Sequence, residues 1–399
     1  MSTNTMQIQL RPHQERGVAA MAKHDKGQII VPTGGGKTLK MIYDCLRQLQ
    51  SETPQTIVVV APRILLAEQL SAEFLEFITN AEVMHVHSGE THHFSSTKPA
   101  DIVVHTGACI AAGKHQLIFT TYNSLQRLVD AEIDVDTIYF DEAHNSVKRN
   151  FFPATEHFAA TARRCYFFTA TRKTSLTPSK PGMNDVDVYG NIICRVSAPE
   201  LVDGGYIIAP KIVAKKFDVL APKQVTAECD SSNLMETLED IDCKKILVCV
   251  KSAKQLINLM SHTDCASQLH QRGYSYLYIT SKTGAIIDGK KVNREVFFDT
   301  LNSWGRDPNK KFVCLHRSIL SEGINVSELE AVVFLRNMDV IEMTQTIGRV
   351  LRLGGKEKVW GLCVVPVYSK VGVSTEQALQ RVVDAVFEKG ELLDSVVRR

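Results

Sequence analysis

Short runs of β-branched and apolar residues alternate with segments of helical period along nearly the whole sequence, and this alternation restricts the chain to an α/β architecture. In the first half the strand candidates are residues 28–31, 56–61, 81–86, 101–105, 116–121, 137–141 and 165–169, with helical patterns over 39–50 and 64–78 between them. A second series follows, with strands expected at 212–219, 245–250, 274–280, 311–315, 331–335 and 359–365. Helices are expected at 253–260, 292–301 and 341–351, and an amphipathic helix over 375–397 closes the chain. Strands separated by helices pair in parallel, so each half predicts a mainly parallel sheet flanked by helices. Residues 171–191 are rich in Thr, Pro, Ser, Lys, Gly and Asn and predict a surface loop.

A chain of 399 residues fits two domains of roughly 200 residues each. Gly204, Gly205 and Pro210 punctuate the join, which we place between residues 1–206 and 207–399. The longest apolar runs, such as 57–61 and 331–335, are far shorter than the roughly 20 residues of a membrane span. Residues 1–10 carry neither a basic segment nor a long apolar one, so no secretory signal is expected and the setting is cytoplasmic or nucleoplasmic. Ten cysteines without a Cys-x-x-Cys pair predict reduced, buried thiols. His85, His87, His92 and His93 match no standard metal-ligand spacing and sit among polar residues. A formal net charge of +2 gives no basic signature, but a protein can confine its positive field to one groove.

The strongest local signal is Pro32-Thr33-Gly34-Gly35-Gly36-Lys37-Thr38, between an apolar strand and a helical pattern. Glycines let backbone N–H groups turn toward phosphate oxygens, and the helix N-terminus adds its positive end. Lys37 is placed for the β and γ phosphates and Thr38 for a Mg²⁺ ion. A hard divalent cation also needs a carboxylate at the end of another buried strand. Asp141-Glu142-Ala143-His144 supplies it, with Asp141 toward the Mg²⁺ and Glu142 toward the attacking water. In the second half, Gln345, Arg349 and Arg352 fall at i, i+4 and i+7, on one face of a helix. Planar guanidinium groups there suit a phosphoryl group whose charge spreads in the transition state.

Together these motifs resemble the superfamily 2 helicases and translocases, in particular the branch of type I and type III restriction-enzyme motor subunits and the phage UvsW helicase. The resemblance covers nearly the whole chain. A Thr-Gly-x-Gly-Lys-Thr loop preceded by Pro or Ala is that superfamily's form, which accounts for Val31 where the general phosphate-loop motif has Gly. Leu10-Arg11-Pro12-His13-Gln14 resembles the adenine-recognition segment, so Arg11 and Gln14 are expected at the base. Pro62 and Arg63 lie in a match to motif Ia, and Thr120 and Thr121 in the next strand-contacting motif. Thr169-Ala170-Thr171 resembles motif III.

Tyr189 to Ile193 and Glu200 to Pro210 look like the lobe-crossing segment of the restriction-motor branch. Ser321-Glu322-Gly323-Ile324-Asn325-Val326 resembles motif V, with Asn325 standing where this branch usually has Asp, and 345–352 is a clean motif VI. The resemblance implies two tandem RecA-like lobes with the ATP cleft between them. It further implies nucleotide contacts from Thr33, Gly34, Gly35, Gly36 and Gly323, and catalytic roles for Lys37, Asp141, Glu142, Gln345, Arg349 and Arg352. Nucleic-acid contacts are implied for Pro62, Arg63, Thr120, Thr121 and Ser321, and coupling of ATP to movement for His144, Thr169, Thr171 and Asn325.

The expected activity is an ATP-dependent, Mg²⁺-requiring DNA helicase or translocase acting on single-stranded, duplex or branched DNA. An RNA helicase and a nucleotide-regulated assembly protein with weak ATPase are the alternatives. No room exists between 336 and 345 for the separation hairpin some relatives insert there, which favours remodelling over processive unwinding.

Overall fold

The computed structural model describes residues 9–217, 226–317, 328–335, 340–351, 361–367 and 370–397. The chain divides into two units, Met1–Val196 with Asp394–Arg399, and Ser197–Leu393. The sequence punctuation put the join ten residues later. The division falls earlier because the helix Ala198–Asp203 packs against Val383–Glu388 of the second unit.

The first unit is built on an eight-stranded sheet. In chain order its strands are β1 (Lys26–Ile30), β2 (Thr56–Ala61), β3 (Ala81–Val86), β4 (Phe94–Ser95), β5 (His115–Thr121), β6 (Thr137–Phe140), β7 (Arg164–Thr169) and, after the two-residue β8 (Lys173–Thr174), β9 (Ile192–Arg195). The spatial order is β4-β3-β5-β2-β6-β7-β1-β9, and every pairing is parallel. Every residue of β2, β6 and β7 is buried, as expected when helices cover both faces of a parallel sheet.

The second unit repeats the plan. Its strands are β10 (Pro210–Lys216), β11 (Lys245–Cys249), β12 (Ser275–Thr280), β13 (Gly284–Ile287), β14 (Lys290–Val292), β15 (Phe312–His316), β16 (Ala331–Phe334) and β17 (Gly361–Val367). They lie in the order β10-β17-β16-β11-β15-β12-β13-β14. Pairing is parallel except for β12–β13 and β13–β14, which are antiparallel. Both units are thus mixed α/β layers built on a mainly parallel sheet. Nine of the ten cysteines are buried free thiols. No helix among the described residues is long and apolar enough to cross a membrane.

Three sequence expectations change. Residues 101–105 are not a strand: they lie inside the helix Pro99–Ala111, which buries Ile102, Thr106 and Cys109 at i, i+4 and i+7. The closing helix does not run to 397. Lys370–Val382 continues as a π-helical stretch, Val383–Glu388, and the chain then turns back. Ser395 and Val396 form a last short strand, β18, paired in parallel with β8, and the Asp394 carboxylate takes both Arg172 Nε (3.1 Å) and Nη2 (2.5 Å). Finally, the loop 171–191 contains β8 and a short helix, Val186–Tyr189, capped by the Asp185 side chain.

A buried polar network sets the first unit's helices on its sheet. Arg164 on β7 donates through Nη1 and Nη2 to both oxygens of Asp44, each at 3.1 Å, and through Nη2 to the Met21 carbonyl at 3.0 Å. Tyr139 donates to the same carboxylate at 2.7 Å. Helix Pro12–Lys23, helix Lys37–Gln48 and two central strands are therefore tied through one fully buried Asp44.

Candidate functional site: a phosphate loop, an acidic pair and a locked histidine

The strands β6, β7 and β1 are adjacent, and the segments leaving their C-terminal ends are the three that chemistry needs side by side. β1 leads into the glycine loop, β6 into Asp141-Glu142, and β7 ends at Thr169. The crevice outside the carboxyl ends of parallel strands is where such sheets bind ligands. Val31 N–H donates to the Thr169 carbonyl at 2.9 Å, so the loop starts in register with the central strand.

The loop turns through Gly34 (φ +89°) and Gly36 (φ +69°), both in the left-handed region that side chains avoid. Gly36 is the N-cap of the helix Lys37–Gln48. A Cβ there would fall 2.1 Å from Gln14 Nε2. Gln14 is buried and spends its amide on the chain itself. Its Oε1 accepts the Arg11 N–H at 2.9 Å, and its Nε2 donates to the Gly36 carbonyl at 3.4 Å. The sequence placed Gln14 at the adenine edge; here it fastens the start of helix Pro12–Lys23 to the glycine loop.

Two residues that the sequence reading passed over hold the same loop. His13 Nε2 lies 3.0 Å from the Gly35 carbonyl, and Lys40 Nζ donates to it at 3.4 Å. Both side chains are buried. A signal was present: Lys40 is a cation one helical turn beyond Lys37, within a helix whose neighbours are apolar.

Lys37 Nζ donates to Glu142 Oε1 at 2.8 Å, so the phosphate-loop cation and the second carboxylate meet directly. Glu142 has φ +46° and ψ +51°, a left-handed conformation that costs a non-glycine residue about 1 to 2 kcal/mol. Such strain persists where surrounding structure enforces it, often at functional sites. Burial pushes the Asp141 carboxyl well above the usual carboxylate range, against the pull of Lys37. The Asp141 carbonyl is held at 2.9 Å by the Tyr122 hydroxyl.

The hydrogen bonds around His144 fix its tautomer. The Thr169 hydroxyl donates to the Thr171 carbonyl at 2.9 Å, so toward His144 it can only accept. His144 Nδ1, 3.0 Å away, is therefore the protonated nitrogen, and Nε2 accepts from Asn145 Nδ2 at 3.2 Å. Burial pushes His144 down to about 4, so the ring is neutral near pH 7. Nδ1 also lies 3.5 Å from Glu142 Oε2. A continuous chain thus runs from Lys37 through Glu142, His144 and Thr169 to Thr171.

The chemistry of these groups suits a nucleotide triphosphate. The Thr33 hydroxyl oxygen is buried without a hydrogen-bond partner, in the glycine loop that leads into the helix starting at Lys37. An orphaned donor beside glycine N–H groups and a lysine is what an anion would complete. Asp141 and the Thr38 hydroxyl are oxygen donors of the kind Mg²⁺ takes.

The strand-contacting residues are less uniform. Arg63 is exposed and Pro62 half-buried at the end of β2. Thr120 is fully buried, with its hydroxyl donated to the Val86 carbonyl at 2.9 Å, and Thr121 is buried with its hydroxyl 3.4 Å from Ser124 Oγ. In this structure those two hydroxyls are engaged within the first unit, with the Val86 carbonyl and Ser124. In the second unit, helix Val340–Val350 buries Met343, Thr346, Ile347 and Val350, and positions 345 and 349 share a different face. Ser321, Gly323, Asn325 and Arg352 lie outside the described residues.

His85 and His87 form a hydrogen-bonded pair. The Gly89 N–H donates to His87 Nδ1 at 3.1 Å, so in the neutral ring His87 Nε2 donates to His85 Nδ1 at 2.9 Å. Among the described residues no group of His, Cys, Asp and Glu is arranged to hold a metal ion. Trp304 is covered by the Lys310 ammonium, 4.0 Å from its ring centre.

Residues 7–174 match the family model described as type III restriction enzyme, res subunit. No curated protein matches the sequence. Among solved structures, the ATP-dependent type ISP restriction-modification enzyme LlaBIII bound to DNA is similar over 98% of this chain and 31% of its own, at 15% identity and a TM-score of 0.74. A nuclease-deletion mutant of the type ISP enzyme LlaGI, in complex with a DNA substrate mimic, is similar over 95% of this chain and 29% of its own, at 18% identity and a TM-score of 0.68. A variant of S. cerevisiae Dbp5 bound to Gle1 and IP6 is similar over 98% of this chain and 94% of its own, at 16% identity and a TM-score of 0.58. The chain spans about a third of the length of the two restriction enzymes.

Proposed function

We propose that the chain is an ATP-driven DNA translocase: residues 7–174 match the family model described as type III restriction enzyme, res subunit, and the fold of the whole chain is similar to that of ATP-dependent restriction enzymes. The observation that carries the reading is the direct Lys37–Glu142 pair beneath a glycine loop with an unsatisfied Thr33 hydroxyl. That arrangement is poised for an anion to displace Glu142 from Lys37.

In this reading the glycine-loop N–H groups, the Thr33 hydroxyl and Lys37 receive the phosphates. Glu142, released from Lys37, orients the attacking water and takes up its proton. Thr38 and Asp141 would hold Mg²⁺, which when bound neutralises charge on the phosphate oxygens. Arg349 and Arg352 are assigned to stabilising the charge that develops on the transferred phosphoryl group, with Gln345 beside them. Neutral His144, with Nδ1–H held by Thr169, stays close to Glu142 and carries its state to the segment at Thr171. Arg63 and the segment around Ser321 are assigned to the nucleic-acid backbone, giving sequence-independent affinity that weakens with salt. DNA is favoured as the track because the similar restriction enzymes were solved with DNA or its mimic.

The test is ATP hydrolysis measured without nucleic acid and with single-stranded DNA, duplex DNA, forked DNA and RNA. Stimulation by DNA, lost in Lys37→Ala, is the expected result. Stimulation by RNA alone would replace DNA with RNA as the track, and slow turnover indifferent to every nucleic acid would sink the motor reading.

A further inference from the structure

Between β12 and the helix Arg294–Arg306 the second unit carries a hairpin, β13–β14, closed by Asp288 (φ +45°) and Gly289 (φ +78°). From 281 to 294 the sequence has four cationic residues, Lys282, Lys290, Lys291 and Arg294, and one carboxylate, Asp288. Four minus one is a formal +3, whereas the whole chain sums to +2. All four cations are exposed. Asp288 does not offset them: it accepts the Tyr276 N–H at 2.7 Å and pairs with His270 at 3.1 Å. Other basic residues of this unit meet carboxylates, as Lys215 does with Asp240 and Lys245 with Glu328. Lys282, Lys290 and Lys291 have no such partner among the described residues.

Topology places most of this charge at one edge. β12 runs parallel to β15 and β11, and β14, two antiparallel steps away, runs the same way as β12. Lys282 follows the end of β12, Lys291 lies next to the end of β14, and Arg294 opens the helix after it, so all three sit at the C-terminal edge of the sheet. Lys251 and Ser252 leave β11 at that same edge. The Lys291 stem leans toward it, its Cε 3.4 Å from where a Cβ on Gly284 would be. Lysines on an edge strand also discourage aggregation. That accounts for Lys290 and Lys291 on β14 but not for Lys282 or Arg294, which lie off the strand. Ile286 and Ile287 are half-buried, so the hairpin exposes no apolar wedge of the kind a membrane surface takes.

We propose that this hairpin is a phosphate-backbone contact for nucleic acid, through Lys282 and Lys291 with Arg294 beside them. It rests on the translocase reading and adds to it a contact outside the motifs. Each phosphate neutralised contributes about 0.9 to the slope of log affinity against log salt on duplex DNA. The experiment is fluorescence anisotropy of a duplex of about 30 base pairs with the full chain over a salt series, for wild type, K282Q/K291Q and K282R/K291R. The glutamine variant is expected to lose about 1.8 from the slope and roughly 60-fold in affinity at 0.1 M salt, and the arginine variant to retain both. Melting temperature and affinity for a fluorescent ADP serve as fold controls. An unchanged slope in the glutamine variant overturns the proposal, and self-association with DNA affinity retained assigns the lysines to edge protection instead. A wild type with no salt-dependent DNA binding would fail the translocase reading itself, a different result from a wild type that binds and a variant that binds equally well.

Discussion

Glu142→Gln should tighten nucleotide binding while removing hydrolysis. Lys37 is engaged by Glu142 at 2.8 Å, and it must leave that carboxylate to meet a phosphate. The side chains are 12% and 19% exposed, so the pair stands between an exposed ion pair, worth about 0 to 1 kcal/mol, and a buried one, whose rupture costs about 3 to 5 kcal/mol. Taking about 1 to 2 kcal/mol for the competing contact, its loss should lower the nucleotide Kd by roughly 5- to 30-fold. The amide keeps the shape of the carboxylate and can still accept a hydrogen bond, but it no longer holds Lys37 as a counter-charge or repels the phosphates.

The assay is titration of a non-hydrolysable ATP analogue with Mg²⁺ by calorimetry, alongside single-turnover hydrolysis. Lys37→Ala provides the opposite sign, since it removes the group that the phosphates need. If Glu142→Gln binds the analogue no better than wild type, Lys37 is not held back by Glu142 and the argument from the pair fails. If it binds better and still hydrolyses at the wild-type rate, Glu142 is not the water-orienting group.

Gly36→Ala forces an L-residue to φ +69°, a cost of about 1 to 2 kcal/mol, and drives its Cβ into Gln14. Nucleotide affinity should fall by roughly tenfold or more with the circular dichroism spectrum retained, and intact affinity would mean the loop is not held through Gln14. Asp44→Ala strands the Arg164 charge in the core, at a cost of about 3 to 5 kcal/mol. A melting transition lower by roughly 6 to 20 °C is expected, with part of it regained in Asp44→Ala/Arg164→Met; no recovery in the double variant would show that the charge was not the problem. Thr169→Val removes the oxygen that accepts from His144 and donates to Thr171. Nucleic-acid-stimulated turnover should drop by roughly 5- to 30-fold, the equivalent of about 1 to 2 kcal/mol, at unchanged nucleotide affinity, and an equal loss of affinity would point to a damaged nucleotide pocket instead.

Most of the fold was legible because buried parallel strands are short apolar runs with polar punctuation, and β2 at Thr56–Ala61 and β3 at Ala81–Val86 match their expected bounds. The error at 101–105 has a physical cause. Ile102-Val103-Val104 has the composition of a strand, but Val103 and Val104 face solvent while Ile102 packs inward with Thr106 and Cys109, and tertiary burial decides over propensity. The hairpin β13–β14 carried a signal that went unused: Asp288-Gly289 between Ala285-Ile286-Ile287 and Lys290-Lys291-Val292 is the residue pair a two-residue turn prefers. Within the site, the loop and the acidic pair were legible from residue type and spacing. His13 and the His144 tautomer were not, because each depends on which carbonyl or hydroxyl lies across a gap in sequence that no motif records.

The position of Thr171 gives the locked histidine its significance. Thr171 precedes Arg172, which grips Asp394, and Lys173-Thr174, which pair with Ser395-Val396. The chain leaves the first unit at Val196 and re-enters it at Asp394, so the second unit is joined to the first by two covalent connections. One of them ends on the strand that begins two residues after Thr171. Swinging the Thr169 side chain would take its oxygen away from both the Thr171 carbonyl and His144 Nδ1–H, while moving the 171–174 segment would reach the same hydroxyl from the other side. The ring at His144, neutral and with both nitrogens committed, cannot absorb such a change by exchanging protons near pH 7. It has to move, and Glu142 Oε2 is 3.5 Å away. On the proposed reading the chain from Lys37 to Thr171 would act through position and not as a proton relay, so a Thr169→Val substitution should be read out in turnover and not in a shifted pH optimum.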